Sequence, residues 1–311
     1  MRGMLSNALS MLAQTSAPAT QPSSDSDLGP LLMVLVPAGI LLGIVWLFRR
    51  IAYPRKVTLT RTPGRPNTLH PVVLVVLLGL LLLLWDASGW LWSNWFTGPP
   101  KSPGHYQQLV LTANTVQVLF LAICLAVAAV TFRHGLARGF GLTVRHWRYD
   151  LLRGVIAMLI ALPICIGLKL ATFAMIRWIY ASDPQQIEQL TRAPGLMEAL
   201  KALADLPAAD AWRIAVVTAA VVLAPLSEEV FFRGLVQSSL RQVTGRPWVA
   251  IIVASGLFAY MHVEWVNRPA LLALGLVLGY NYERTGRLMP AIVIHSLFNA
   301  TFIANQLFQG E

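Results

Sequence analysis

Residues 211 to 240 read AWRIAVVTAAVVLAPLSEEVFFRGLVQSSL. The run is longer than the ~20 helical residues that cross a hydrocarbon core of about 30 Å. Yet Glu228, Glu229 and Arg233 interrupt it. A charge placed mid-helix in lipid costs at least about 2.5 to 3.5 kcal/mol on insertion scales. These three groups must therefore face protein or water, and other helices must surround this one.

Within the stretch, Glu229 and Arg233 stand four positions apart, on one face of a helix, where an ion pair offsets part of the burial cost. Glu228 points about 100° away and is left over. Pro225 cannot donate to the carbonyl of Val221, so the helix should bend there and open room for water or a substrate backbone. A purely structural ion pair accounts for Glu229 and Arg233. It leaves a second adjacent carboxylate without a reason.

The rest of the chain supplies the surrounding helices. Of its 311 residues 56% are apolar and 12% charged, and the mean hydropathy is +0.61. Those values lie outside the range of soluble globular domains and indicate a polytopic membrane protein of all-α class. Eight spanning segments are expected, at 31–48, 71–92, 109–132, 154–180, 211–240, 248–263, 270–283 and 288–308. Trp85, Trp90, Trp92 and Trp95 gather at the end of the second, as aromatic residues do at a membrane interface. No internal repeat is visible, and no stretch is long enough for a soluble domain. Cys124 and Cys165 lie singly in separate apolar runs and read as small core residues.

Basic loops set the orientation. Arg49, Arg50, Arg55, Lys56, Arg61 and Arg65 follow segment one, and Arg133, Arg138, Arg145, Arg148 and Arg153 follow segment three. The residues 181–210 are acid-rich by contrast. Loops rich in Lys and Arg stay cytoplasmic, so both termini are expected outside, in a bacterial-type plasma (inner) membrane. The net charge of +10 is accounted for by these loops and gives no ground for a nucleic-acid partner. Residues 1–28 read as an external tail, with a weak signal peptide cleaved near Ala17 or Ala19 as the alternative. Residues 185–206 carry an apolar stripe in their second half and are expected on the external membrane surface.

Two further stretches carry polar groups at helical spacing: Phe258 and His262 in LFAYMHVEW, and His295 and Asn299 in AIVIHSLFNATF, each pair on one face of its helix. A turn near Gly245 puts Glu228 and His262 seventeen residues away on either side, at the same depth in an antiparallel hairpin. His295 lies only nine residues beyond Gly286, roughly 13 Å against roughly 25 Å for the other two. Either the Gly286 turn is set deeper, or segment five reaches its cytoplasmic end earlier.

Taken together, EExxxR (Glu228, Glu229, Arg233), FxxxH (Phe258, His262) and HxxxN (His295, Asn299) resemble, in order and spacing, the CPBP intramembrane proteases, also called the Abi or CAAX protease family. The likeness covers residues 211–305. It divides the chain into a tail (1–28), a first helical part without assigned chemistry (29–150) and a protease core (151–311). It implies a CPBP-type helical bundle that hydrolyses a peptide bond with a glutamate-activated water. In that scheme Glu228 is the general base, and His262 holds the water with it. His295 and Asn299 position the water or donate to the oxyanion, while Glu229, Arg233 and Phe258 support them. The implied partners are the bilayer and a membrane-embedded or lipidated protein or peptide.

No cofactor is expected. A zinc version, with Glu228, His262 and His295 as ligands and water in the fourth position, is the competing reading. The absence of HExxH speaks against it, as does Asn299, a poor companion for zinc and a natural oxyanion donor. Two other classes stay open: a proton-coupled transporter, for which buried Glu, His and Arg are also typical, and a non-catalytic scaffold or immunity factor of the same fold.

Overall fold

The structure is a computed structural model that describes residues 29–52, 59, 69–96, 98–99, 102–191, 203, 209–262 and 264–309. The tail expected at 1–28 and most of the stripe expected in 185–206 lie outside the described residues. Among the described residues every regular element is helical. The long helices are α1 (Pro30–Ala52), α2 (Pro71–Ser93), α3 (Pro103–Thr131), α4 (Trp147–Ile179), α5 (Asp210–Thr244), α6 (Pro247–Met261), α7 (Arg268–Thr285) and α8 (Met289–Gln309). They correspond one for one to the eight expected segments. The chain is an all-α, multi-pass membrane protein. Helices α1 to α5 are long and apolar enough to span a bilayer, and α6 and most of α8 are shorter apolar helices.

Local sequence explains the boundaries. Proline at the first helical turn begins α2, α3 and α6, where its missing N–H costs no hydrogen bond. Ser102 also caps α3, its hydroxyl accepting from the His105 N–H at 3.3 Å. Gly245 (φ 66°) ends α5 and Gly286 (φ 62°) ends α7, each in the left-handed conformation that closes a helix. Both glycines stand where the expected turns were placed.

Two apolar cores organise the bundle. One joins α2, α3, α5 and α6 through Leu74, Leu77, Phe120, Cys124, Phe231, Leu235 and Phe258. The other joins α1, α4, α7 and α8 through Leu32, Leu162, Cys165, Leu274, Ile294 and Phe298. Both cysteines are thus core residues, as their apolar surroundings in the chain suggest. Helices α2 and α3 share a core with α5 and α6, and α1 shares one with α7 and α8, so the first part of the chain builds the walls around the motif helices.

Helix α5 is not wound uniformly. Ala219–Leu223 and Val230–Gln237 are π-helical, and an α-helical stretch, Ala224–Glu229, lies between them. The first π turn absorbs Pro225. In the wider register the Ala224 N–H donates to the Ala219 carbonyl, five residues back. The carbonyl that Pro225 leaves without a backbone donor is therefore that of Ala220, not Val221 as an α register implies.

Three rungs tie α5 to α7 at four-residue steps. Arg233 Nη2 donates to the Gly275 carbonyl (3.3 Å), Gln237 Nε2 to the Gly279 carbonyl (3.0 Å), and Arg241 Nε to Glu283 Oε1 (2.9 Å). Their equal spacing shows that α5 and α7 run parallel, with α6 returning between them. Close approach depends on glycine: a Cβ at Gly279 would sit 2.7 Å from Gln237 Oε1. At the same end of the bundle the buried Asp150 of α4 pairs with Arg287 (2.6 Å), and Arg153 Nε donates to Asn281 Oδ1 (2.8 Å).

Candidate active site

Glu228, Glu229 and Arg233 of the first motif meet His295 of the third, while Phe258 links His262 to this group and Asn299 contacts helix α5 elsewhere. Glu229 is wholly buried and its Oε1 accepts two hydrogen bonds, from Arg233 Nη1 at 2.9 Å and from His295 Nδ1 at 2.9 Å. The expected Glu229–Arg233 pair is therefore present, and α8 joins it. Because a carboxylate only accepts, His295 carries its Nδ1 proton toward Glu229, and its Nε2 is left for the other side. There it faces Glu228 Oε2 at 3.8 Å, beyond direct hydrogen bonding. The two adjacent glutamates thus differ in kind: the Glu229 side chain is 0% exposed, that of Glu228 29%.

Phe258 holds the site together. Its ring packs against the imidazoles of His262 (4.8 Å between centroids) and His295 (5.5 Å), and the Arg233 guanidinium lies 4.6 Å from its centroid. One phenyl ring therefore touches a residue from each motif. A cation over an aromatic face in a desolvated place is worth about 2 kcal/mol, which adds to the Glu229 contact in stabilising a buried guanidinium.

His262 differs from expectation. Helix α6 ends at Met261, and His262 is its extended C-terminal cap (φ −82°, ψ 134°) rather than a residue on the helix face. It remains near Phe258 because its Nδ1 lies 2.8 Å from the Phe258 carbonyl. That carbonyl can only accept, so Nδ1 bears the proton and Nε2 of the neutral ring is an acceptor. The His262 carbonyl in turn accepts from Arg268 Nε at 3.3 Å, and the Arg268 guanidinium stacks 3.8 Å over the Trp265 ring. Arg268 was not marked by any motif. Its tie to a backbone carbonyl leaves no sequence signal beyond proximity.

Asn299 is also placed differently from an oxyanion donor waiting for substrate. Its Nδ2 donates to the Ala220 carbonyl at 2.8 Å, the group that Pro225 and the π turn leave open. Asn299 therefore pins α8 to the deformed part of α5.

His295 reaches the carboxylates although it stands only nine residues beyond Gly286. Helix α5 runs on to Thr244 rather than ending early. The π winding of Val230–Gln237 takes more residues per turn and so climbs less per residue, which closes a small part of the roughly 12 Å difference in depth.

Gln237 and Gly234 were missed by motif reading. Gln237 is fully buried and makes the middle rung to α7. Gly234 admits the ring of Phe140 from the α3–α4 connection, and a Cβ there would lie 2.3 Å from it. Among the described residues no three His, Cys, Asp or Glu side chains form a cluster able to hold a metal ion.

Residues 210–301, the part that carries all three motifs, match the family profile described as type II CAAX prenyl endopeptidase Rce1-like. This part of the chain is therefore similar to the CAAX protease (CPBP) family. The chain is also 32% identical over 95 residues to the membrane-embedded CAAX protease MroQ of Staphylococcus aureus (strain USA300). That match covers 29% of this chain and 38% of the length of the relative. No solved structure matches the chain. The matched residues are α5 to α7 and the first part of α8, so the family match and the polar site fall on the same four helices.

Proposed function

We propose that the protein is an intramembrane endopeptidase that hydrolyses a peptide bond of a membrane-associated or lipidated protein, using a water activated by Glu228. The observation that carries this reading is the division of labour between neighbouring carboxylates. Glu229 is sealed and committed to Arg233 and His295, while Glu228 keeps access and faces the free side of the same imidazole.

In the reaction Glu228 accepts a proton from the water as its oxygen attacks the peptide carbonyl carbon, and later gives that proton to the departing amine. His262, with Nδ1 donating to Phe258, offers Nε2 as an acceptor that fixes the second hydrogen of the water. His295 is held by Glu229 through Nδ1, as a buried carboxylate orients a catalytic imidazole elsewhere. When the ring has taken up a second proton from solvent, Nε2 donates to the oxyanion of the tetrahedral intermediate, a contribution typically worth about 3 to 4 kcal/mol, and that proton returns to solvent on product release. Arg233 pairs with Glu229, and Glu229 in turn fixes the orientation of the His295 ring. Asn299 and Arg268 are positioning residues, acting on the π turn of α5 and on the His262 backbone.

No metal takes part in this scheme. The family match supports a protease, and the printed name of the Staphylococcus relative supports a substrate at the membrane. We place the protein in the plasma membrane with its basic loops in the cytoplasm. Membranes from cells carrying the wild type and Glu228→Gln, compared by terminal proteomics, should differ by peptide fragments present only with the wild type. Identical fragment sets at equal protein levels would overturn the assignment. Loss of cleavage on chelation, with recovery on adding zinc, would replace the metal-free mechanism with the zinc version.

A further inference from the structure

Apart from the candidate active site, the bundle contains a cavity of about 470 Å³ at the end where α3 stops and α4 and α8 begin. One wall is the connection around the short helix Gly135–Gly139, and the other is the α7–α8 turn. His134, Arg138 and Arg287 line it, together with Thr143 and Thr285 and the backbone at Gly139 and Gly141. No acidic side chain lines it. Arg287 is held from behind: Asp150 takes its Nε and Nη2, leaving Nη1 without a partner among the described residues.

Such a cavity suits a phosphate, since the fixed guanidinium of Arg287, a second arginine and the Thr143 hydroxyl offer donors to tetrahedral oxygens. Its level in the bundle selects the source. The rim carries exposed Leu142 and Trp147, with Arg148 stacked on the Trp147 ring at 5.3 Å. Exposed Leu151 and Leu152 continue the apolar surface along the first turn of α4. Aromatic, aliphatic and cationic groups in this order mark the boundary between headgroups and acyl chains.

We propose that this cavity binds the headgroup phosphate of an anionic phospholipid of the cytoplasmic leaflet, with the acyl chains lying along α4. The site is separate from the hydrolytic reading and does not depend on it. Its occupancy does bear on the catalytic helix. The connection that forms one wall also carries Phe140, whose carbonyl accepts from the Leu288 N–H at 3.0 Å and whose ring fills the space left by Gly234. A headgroup bridging Arg138 and Arg287 joins the connection to the α7–α8 turn and braces the surface against which α5 rests.

The full chain is reconstituted in nanodiscs of equal parts phosphatidylglycerol and phosphatidylcholine, then released for native mass spectrometry. The wild type should retain phosphatidylglycerol preferentially. Arg138→Glu should lower that retention at least about tenfold, because it removes a direct hydrogen bond to a charged phosphate, a contact worth about tenfold or more. Arg145→Glu, on the same basic stretch but outside the cavity, should retain lipid as the wild type does. The melting temperature should rise with phosphatidylglycerol for the wild type and not for Arg138→Glu. If Arg138→Glu fails to fold, Arg138→Gln and the cavity-filling Thr143→Trp serve in its place, each lowering retention. Unchanged retention in these variants would overturn the proposal. So would equal loss in Arg145→Glu, which would reveal a diffuse charge effect, or stripping of the lipid by millimolar inorganic phosphate, which would make free phosphate the ligand.

Discussion

Glu229 is the residue whose surroundings are most fully determined, and its neighbours can be tested one at a time. Replacing Arg233 by Leu leaves a carboxylate buried without its cation, a change that costs about 3 to 5 kcal/mol. The melting temperature of that variant should fall sharply. The pair replacement Glu229→Gln with Arg233→Met should recover much of the stability and none of the cleavage. Glu228→Gln, by contrast, should melt as the wild type and lose cleavage by at least about a thousandfold, as expected for a general base that is also the site of water activation. Recovery of cleavage by the pair replacement would show that Glu229 is merely structural. Asn299 gives a further test. Asn299→Leu should destabilise by about 1 to 3 kcal/mol, because the partly buried Ala220 carbonyl then loses its side-chain donor. Adding Pro225→Ala supplies that donor from the backbone of the π turn, so the double variant should melt higher than Asn299→Leu alone. A double variant no more stable than the single one would contradict the π register.

At the scale of helices, the eight segments, the turns at Gly245 and Gly286 and the Glu229–Arg233 pair were all legible in the sequence. Each follows from hydropathy, glycine or four-residue spacing, which are local signals. The winding of α5 was not legible. Pro225 announced a disturbance, but its form depends on Asn299, seventy-four positions later, meeting the Ala220 carbonyl. His262 was read as a helical residue because FxxxH fits an α-helical face. The chain instead leaves the helix at Met261, and the Phe258 carbonyl holds the imidazole. Gly234 belongs to the same non-local class, since its need for a missing Cβ comes from Phe140 in another connection. Gly234→Ala should therefore destabilise by about 1 to 3 kcal/mol through overpacking. Phe140→Leu in the same chain should relieve much of that loss. Melting the single and double variants in detergent decides it, and additive losses would mean that the two residues do not touch.

For the whole molecule, the orientation rests on charge alone. With Cys124 and Cys165 buried in the cores, new single cysteines can be labelled selectively. Asp183→Cys should react with a membrane-impermeant maleimide in intact cells, and Arg145→Cys only after permeabilisation. The reverse pattern would invert the bundle and with it the leaflet assigned to the basic cavity. The three polar contacts from Arg233, Gln237 and Arg241 to α7 also limit how the bundle can open. They act like the teeth of a rack. Helices normally shift past one another by about 1 to 2 Å, whereas the next engaged position here lies a full four residues away, about 6 Å along the axis. Such a jump breaks all three contacts at once, so α5 and α7 are expected to move together, and under the proposed function a peptide is admitted to Glu228 by motion of the helices around that pair.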